Sequence, residues 1–489
     1  MSKRAKPYRP EPSDHVKKSQ VALPQPGFVP VHQNLAAIDI ASEVHYVSVP
    51  EDRDEASVRT FHCLTTGLKA MADWLRKCDI ERVVMEATGV YFVPVFEFLQ
   101  DSGFTVSLVR GGAARDIAGK KTDVADAIWL RTVYSCGLIR DCFVPDKELS
   151  VLRWYWRLRS DHVKGCAEHI LRMQKALELM NVQLHKVLSD VSGVSGMSII
   201  RAVVAGERDP DNLAGMVKSG VKHDRATFVA ALTGHYRDEH VFALAQAVES
   251  YDFFQRQISD CDARLAQALA KLETRQPPCG PDKGDANPDG PPATRKPSQI
   301  SRRRNQPHFD LKQELARVVG VDVTVLPGID AMTAQTVFSE CGYDLAAFET
   351  EHKLSSFLGL SPNNRITGGK VKSSRTRKVA SRAATALRVA ALSLFRGNSA
   401  LAAFSRRMRA RLGPAKAVTA TAHKLAVLLF RMVRYGQDYV DQGQQQYEEQ
   451  YRQQQRKALL KQARRLGLAL VDSATGCIVE PTVASGCAA

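Results

Sequence analysis

Asp123 and Asp126 stand three residues apart in Lys120-Lys121-Thr122-Asp123-Val124-Ala125-Asp126-Ala127, at the start of a run that reads as helix. At that spacing two side chains share one helix face, so two like charges are brought side by side. A bound divalent cation gives a reason to hold them there, because hard cations such as Mg²⁺ take oxygen ligands. A solvated helix face is the plainer alternative. Asp39 lies inside the apolar run 35–41, where an ionised carboxylate is costly unless it is paired or on a metal. Glu86 falls where the apolar run 82–89 ends in a glycine turn, and ligand groups of α/β sheets gather at strand ends. Acids in this order could converge as an all-oxygen site for one or two Mg²⁺, able to activate a nucleophile and stabilise the leaving oxygen of a phosphodiester.

A second set of reactive groups lies far downstream. Residues 363–378 contain no acid, while Arg365, Lys370, Lys372, Arg375, Arg377 and Lys378 recur through the stretch. Gly368-Gly369 would allow a close backbone approach to a ligand. Hydroxyls set among glycines and cations suit phosphoryl chemistry, with the hydroxyl as nucleophile and the cations holding phosphate. Thr367 has the adjacent glycines and Lys370; Ser374 and Ser373 are the other candidates. Arg406 and Arg407 open a run that reads as phosphate-facing. The turn Leu326-Pro327-Gly328-Ile329 before a helix offers backbone N–H groups as a further phosphate contact. His423, alone on a later helix, reads as packing or capping.

The elements that must position these groups follow from periodicity. A buried strand at 35–41 and its hairpin partner at 44–49 come first, then an amphipathic helix at 67–77 and a strand at 82–89. A helix at 91–100, a strand at 105–109 and the helix bearing Asp123 complete an α/β domain over 31–147. Residues 148–275 read as helical. Val163, Ile170, Leu177 and Leu184 form one heptad seam, and Cys166, Met173, Met180 and Val187 a second. Either an ordinary core helix or a coiled coil joining two protomers would carry that pattern. Residues 276–308 are a Pro- and Gly-rich linker ending in Arg302-Arg303-Arg304. A second, mostly helical domain spans 309–440, flanked by a polar tail at 441–489; residues 1–30 read as a disordered basic arm.

Composition narrows the class. A chain of 489 residues, 44% hydrophobic, can bury several cores. No apolar run reaches membrane-spanning length, and the basic, Pro-rich start does not read as a signal peptide. The ten cysteines are scattered without a Cys-x-x-Cys pair, which argues against a zinc site or disulfide framework and for a reduced cytoplasm. A net charge of +16 and a pI near 9.4 point to a polyanionic partner, nucleic acid before membrane.

The series Asp39, Glu86, Asp123, Asp126, with Met-Glu-Ala-Thr-Gly and Lys-Thr-Asp-x-x-Asp-Ala, resembles the amino-terminal domain of the DEDD transposases of the one-hundred-and-ten family of bacterial insertion sequences. Leu-Pro-Gly-Ile, Phe-Leu-Gly-Leu-Ser-Pro and Thr-Gly-Gly-Lys resemble that family's second domain. The resemblance covers roughly residues 33–145 and 320–437. It implies a ribonuclease H-like (RuvC-like) fold, Mg²⁺ at the four acids, and a coiled coil between the domains. It also implies dimers pairing into a tetramer, and a structured noncoding bridge RNA that pairs with donor and target DNA. The family's nucleophile is usually the Ser of a Ser-Gly pair; the matching position here is Thr367, leaving Ser373 and Ser374 open as alternatives. A site-specific DNA recombinase is the resulting expectation. A junction-resolving nuclease using water, and a non-catalytic nucleic-acid-binding protein, are the alternatives.

Overall fold

Leu35–Ile38 and Val83–Met85 are continuous buried runs, which is how strands covered on both faces read. In the computed structural model, which describes residues 31–112, 123–276, 305–436 and 443–471, they are the two central strands of a five-stranded sheet. The chain divides into two compact units between Val144 and Pro145. The basic arm, Lys120 to Thr122, most of the linker with Arg302 to Arg304, and the last part of the tail lie outside the described residues.

The first unit runs β1 (Leu35–Asp39), β2 (Val44–Ser48), β3 (Val58–His62), α1 (Thr65–Lys77), β4 (Arg82–Ala87), α2 (Phe92–Asp101), β5 (Thr105–Arg110) and α3 (Asp123–Ser135). The sheet order is β3-β2-β1-β4-β5. β2 is antiparallel to β1 and β3, whereas β1, β4 and β5 are mutually parallel. This is the mixed α/β sheet expected of a ribonuclease H-like domain. β3 was not among the expected strands. It is an edge strand with only Val58 buried, so its sequence lacks a clean alternation.

Each face of the sheet has its own core. Ala36, Ile38, Val83 and Met85 face α1 and α2, packing against Met71, Leu75, Phe96 and Leu99. Leu35, Ala37, Val84 and Val109 face α3, packing against Leu130, Val133 and Tyr134. Tyr134 pins the end of α3: its hydroxyl lies 2.9 Å from Ser107 Oγ and 2.7 Å from Asp141 Oδ1, and His32 stacks on its ring.

The second unit is almost wholly helical: α4 (Lys147–Leu179), α5 (Leu184–Val187), α6 (Val194–Val204), α7 (Pro210–Gly215), α8 (Arg225–Leu232), α9 (Asp238–Ala270), α10 (Leu311–Val319), α11 (Ala331–Cys341) and α12 (Glu351–Phe357). A small hairpin of β6 (Arg365–Thr367) and β7 (Lys370–Ser373) follows, then α13 (Arg382–Ser393), α14 (Ala400–Leu412), α15 (Pro414–Tyr435) and α16 (Gly443–Arg465).

The heptad pattern is real, but its partner lies in the same chain. Cys166, Met173, Leu177, Met180 and Leu184 are buried in one cluster with residues of α6, α8 and α9, and Val163 and Ile170 pack against it. The long helix ends at Leu179, so Leu184 and Val187 belong to the short α5 rather than to a continuous seam. Arg159 bonds Asp262, and Cys166 meets Gln255, so α4 and α9 run antiparallel. Phe254 comes so close to α4 that a Cβ at Gly165 would sit 2.8 Å from its ring. Arg159 and Asp262 are both 2% exposed, and Arg159 also donates to the Asn305 carbonyl at 2.9 Å.

The segments 148–275 and 309–440, separate in the sequence, share this second unit. Arg153 donates to the carbonyls of Ser339 and Glu340, and Arg157 makes a two-pronged bond to the Glu340 carboxylate at 2.9 and 2.7 Å.

Candidate functional site

Strand alternation decides where the first two acids point. Asp39 has the parity of Leu35 and Ala37, and Glu86 that of Val84, so both face the α3 side of the sheet. The parallel register Ile38↔Met85 makes Asp39 and Glu86 the next neighbours at the carboxyl ends of β1 and β4. Both are half-buried.

α3, which carries the other two at its first turn, packs on the same face of the sheet. Val31 and His32, just before β1, donate their N–H groups to the Ser135 carbonyl at 2.7 and 3.3 Å. The carboxyl end of α3 therefore lies at the start of β1. Its thirteen residues extend about 20 Å, back toward the end of β1, which lies about 23 Å from His32. Asp123, Ala127, Leu130 and Tyr134 follow one another at three- and four-residue steps, as do Asp126, Leu130 and Val133. The two acids thus continue the sheet-facing stripe of the helix beyond its apolar part. Asp126 is half-buried and Asp123 exposed.

A contact that spacing could not reveal orients Glu86. After β5 the chain turns at Gly111 and Gly112, the latter with φ +78°, and the Gly112 N–H donates to Glu86 Oε2 at 2.9 Å. A Cβ at Gly111 would stand 3.3 Å from the Ala87 carbonyl oxygen, so the turn hugs the end of β4. The donor set of this rim is carboxylate oxygen alone, which fits Mg²⁺ chemically. Among the described residues, no three His, Cys, Asp or Glu side chains are gathered closely enough to hold an ion.

In the second unit the basic stretch forms the β6–β7 hairpin. Thr367 pairs with Lys370 across Gly368 and Gly369, whose φ values of +56° and +74° are those of a two-residue turn with both central residues left-handed. The glycine pair is therefore accounted for by the turn itself. Every residue of β6 is exposed, and Ser373 is the only half-buried residue of β7. Arg365, Lys370, Lys372, Arg375 and Lys378 are exposed and make no ion pair with a described residue. Arg377 instead donates to the Ser356 carbonyl at 2.5 Å and fastens the hairpin base, aided by the bridge between Pro362 and Thr376. Ser373 Oγ accepts the Arg375 N–H at 3.3 Å, Ser374 is exposed, and Thr367 lies beside the turn.

Arg406 and Arg407, expected to face phosphate, are both engaged by groups of the protein itself. Arg406 donates to the Gly397 carbonyl at 2.6 Å and to Gln444 Oε1 at 2.7 Å. The Arg407 guanidinium stacks over Tyr451 at 4.0 Å and Tyr447 at 5.1 Å. Both are half-buried and hold α16 to α14; a cation on an aromatic face is satisfied without an anion. Arg409 and Arg411, on the outer side of α14, are exposed. The Pro327-Gly328 turn is likewise packed: Leu326 and Ile329 are buried, a Cβ at Gly328 would meet the Ala390 carbonyl oxygen at 2.9 Å, and Asp330 caps α11 by accepting the Thr333 N–H at 2.8 Å. His423 is half-buried, and burial together with neighbouring His352 and Lys424 lowers its proton affinity, in keeping with a packing role.

Two family models match the chain, each over one of these regions. A DEDD transposase model of the IS110 type matches residues 36–182, which hold all four acids. A model described as the transposase IS116/IS110/IS902 family matches residues 312–406, which hold the hairpin. No curated protein matches the sequence significantly.

Proposed function

Since the chain belongs to the IS110 family of DEDD transposases and is a DNA-transposing enzyme, we propose that it cuts and rejoins DNA strands with a side-chain hydroxyl as nucleophile. The observation that best supports this is the shared rim: Asp39 and Glu86 on adjacent strands, on the face against which α3 carries Asp123 and Asp126. These carboxylates would hold Mg²⁺, which supplies positive charge at the phosphodiester being cut.

The chain's own groups do the rest. The Thr367 oxygen attacks phosphorus, forming a phosphoester to the protein as the bond to the 3′ oxygen breaks. The hydroxyl proton leaves, and the departing 3′ oxygen takes up a proton. The free 3′-hydroxyl of an exchanging strand then attacks the phosphoester, which releases Thr367 and joins the strands. Lys370, opposite Thr367 in the hairpin register, offsets phosphate charge, and Arg365, Lys372, Arg375 and Lys378 hold the backbone on either side. Ser374 and Ser373 are the alternative nucleophiles. The family resemblance further supports a structured bridge RNA as guide, donor and target DNA as substrates, dimers assembling into a tetramer, and action in the cytoplasm. No helix among the described residues is long and apolar enough to cross a membrane.

Denaturing electrophoresis of the protein with end-labelled DNA and Mg²⁺ tests this reading. A covalent adduct is expected from the native protein and from Thr367→Ser, and none from Thr367→Val. Asp126→Asn should abolish both adduct and cleavage while DNA binding persists. An adduct that survives in Thr367→Val and maps to Ser373 or Ser374 moves the nucleophile there. Cleavage by the native protein without any adduct refutes the hydroxyl and favours the water-using nuclease.

A further inference from the structure

The tail reads in sequence as a fraying polar helix, yet α16 is a regular helix of 23 residues with none of them buried. It lies beyond residue 406, where the second family match ends. A helix that is polar all round is ordered by side-chain pairs four residues apart, here Gln444 with Glu448, Gln453 with Glu449 and Gln455 with Tyr451, and by attachment elsewhere. Attachment is visible over its first turns. Gln444 is held by Arg406, its N–H donates to the Asn398 carbonyl at 3.2 Å, and Tyr447 and Tyr451 stack on Arg407. From Arg452 through Leu459 every residue is exposed.

The charge of this free part is one-signed. After Glu449 no acid occurs through Val471, while Arg452, Arg456, Lys457, Lys461, Arg464 and Arg465 do. Away from the tyrosines, Gln446, Gln450, Gln453, Lys457, Lys461 and Arg464 succeed one another at steps of three and four, which aligns them along one face. All six are exposed.

We propose that α16 is a duplex-DNA-binding arm that lays this face into the major groove, a role that rests on the reading of the protein as a DNA-transposing enzyme. The major groove of B-form DNA, about 12 Å wide, admits an α-helix, whereas the deep, narrow major groove of A-form RNA does not. Lysine and arginine neutralise the flanking phosphates, and glutamine amides carry the paired donor and acceptor that match an adenine edge. The helix's two aromatic residues, Tyr447 and Tyr451, are stacked on Arg407, and the part beyond them has none to anchor it at a membrane surface. The Arg407 stack sets the angle at which the arm leaves α14.

The test uses the full chain with Lys457→Gln, Lys461→Gln and Arg464→Gln combined. These substitutions keep helix-forming residues at exposed positions, so the melting temperature should not move. Fluorescence anisotropy with a labelled DNA duplex is recorded across a salt series. Removing three phosphate contacts should flatten the slope of log affinity against log salt by about 2.7, with weaker binding at low salt. An unchanged slope and affinity overturns the proposal. A loss confined to an A-form RNA duplex of the same sequence also overturns it. Strand cleavage is measured alongside: an unaffected slope in a protein that still forms the covalent adduct removes the arm and leaves the reaction standing. A slope that flattens in the triple variant while the native protein forms no adduct does the reverse.

Discussion

Gly368 and Gly369 offer a sharp test, because two physical roles for them predict opposite results. If they serve the turn, what matters is left-handed backbone, at φ +56° and +74°. If they serve close approach to DNA, what matters is the missing side chain. A Cβ at either position would meet no atom within 4 Å, so a substitution carries only the backbone cost. For an ordinary L-residue that cost is about 1–2 kcal/mol. An exposed two-stranded hairpin is marginal by itself, so the fraction correctly formed should fall about 5- to 30-fold. Asparagine tolerates the left-handed region, and Asn-Gly is a favoured pair for this turn. Gly368→Asn should therefore keep the rate of covalent adduct formation within about twofold of native, whereas Gly368→Val and Gly369→Val should lower it by the larger factor. The assay is a time course of adduct formation on denaturing gels with DNA in excess, with melting temperatures as a control that should not change. Equal damage from Gly368→Asn and Gly368→Val would refute the turn argument and restore close approach as the role.

Three further outcomes follow from side-chain surroundings. Arg406→Ala removes bonds to Gly397 and Gln444 and should lower the melting temperature without changing the salt slope of DNA binding beyond any loss of the α16 arm; a drop in slope that persists when Lys457, Lys461 and Arg464 are already replaced would return Arg406 to the phosphate-binding set. Leu177 is 1% exposed inside the chain's own core, so Leu177→Ala should cost about 2–5 kcal/mol independently of protein concentration, whereas a concentration-dependent melting shift would point to a seam between protomers. Burial alone would raise the Asp54 carboxyl, but hydrogen bonds from Trp74, the Ala56 N–H and Arg59 outweigh it and hold it below the usual carboxylate range. The resulting stability is present above about pH 4, the unfolded value, and is lost as pH falls through the lower folded value. Urea midpoints of native and Asp54→Asn protein should therefore converge toward low pH, and a constant gap would contradict the shift.

The acids were legible because each is a chemical misfit at its address: a carboxylate in an apolar strand, a carboxylate at a strand end, two on one helix face. That Asp39 and Glu86 stand on adjacent strands, on the face that α3 covers, was not legible. It depends on β4 lying beside β1 in a given register and on α3 running back along β1, and both are long-range outcomes. The heptad of α4 shows the same division. Its period reports that a seam must be covered, but α9, far along the same chain, satisfies that demand as well as a second protomer would. Charge is the least informative sign. Arg406 and Arg407 look like Lys370 and Lys372 in sequence, and only the distant Gln444, Tyr447 and Tyr451 distinguish a clamp from a free cation.

The two sets of proposed reactive groups are held by different forces. Asp39 and Glu86 end strands whose preceding residues, Ile38 and Met85, are fully buried, so their placement is fixed by packing that also stabilises the whole sheet. Thr367 stands on a hairpin whose first strand buries nothing. Its order comes from two left-handed glycines, the bridge of Pro362 to Thr376, and Arg377 on the Ser356 carbonyl. A core substitution near the acids must therefore lower stability before it alters chemistry. A hairpin substitution can alter chemistry while the melting curve stays where it was, because almost no buried area is lost with it. The same logic gives Arg377 its weight: a cation inside a basic stretch is spent on a backbone carbonyl, and this is what anchors an otherwise exposed strand pair to α12.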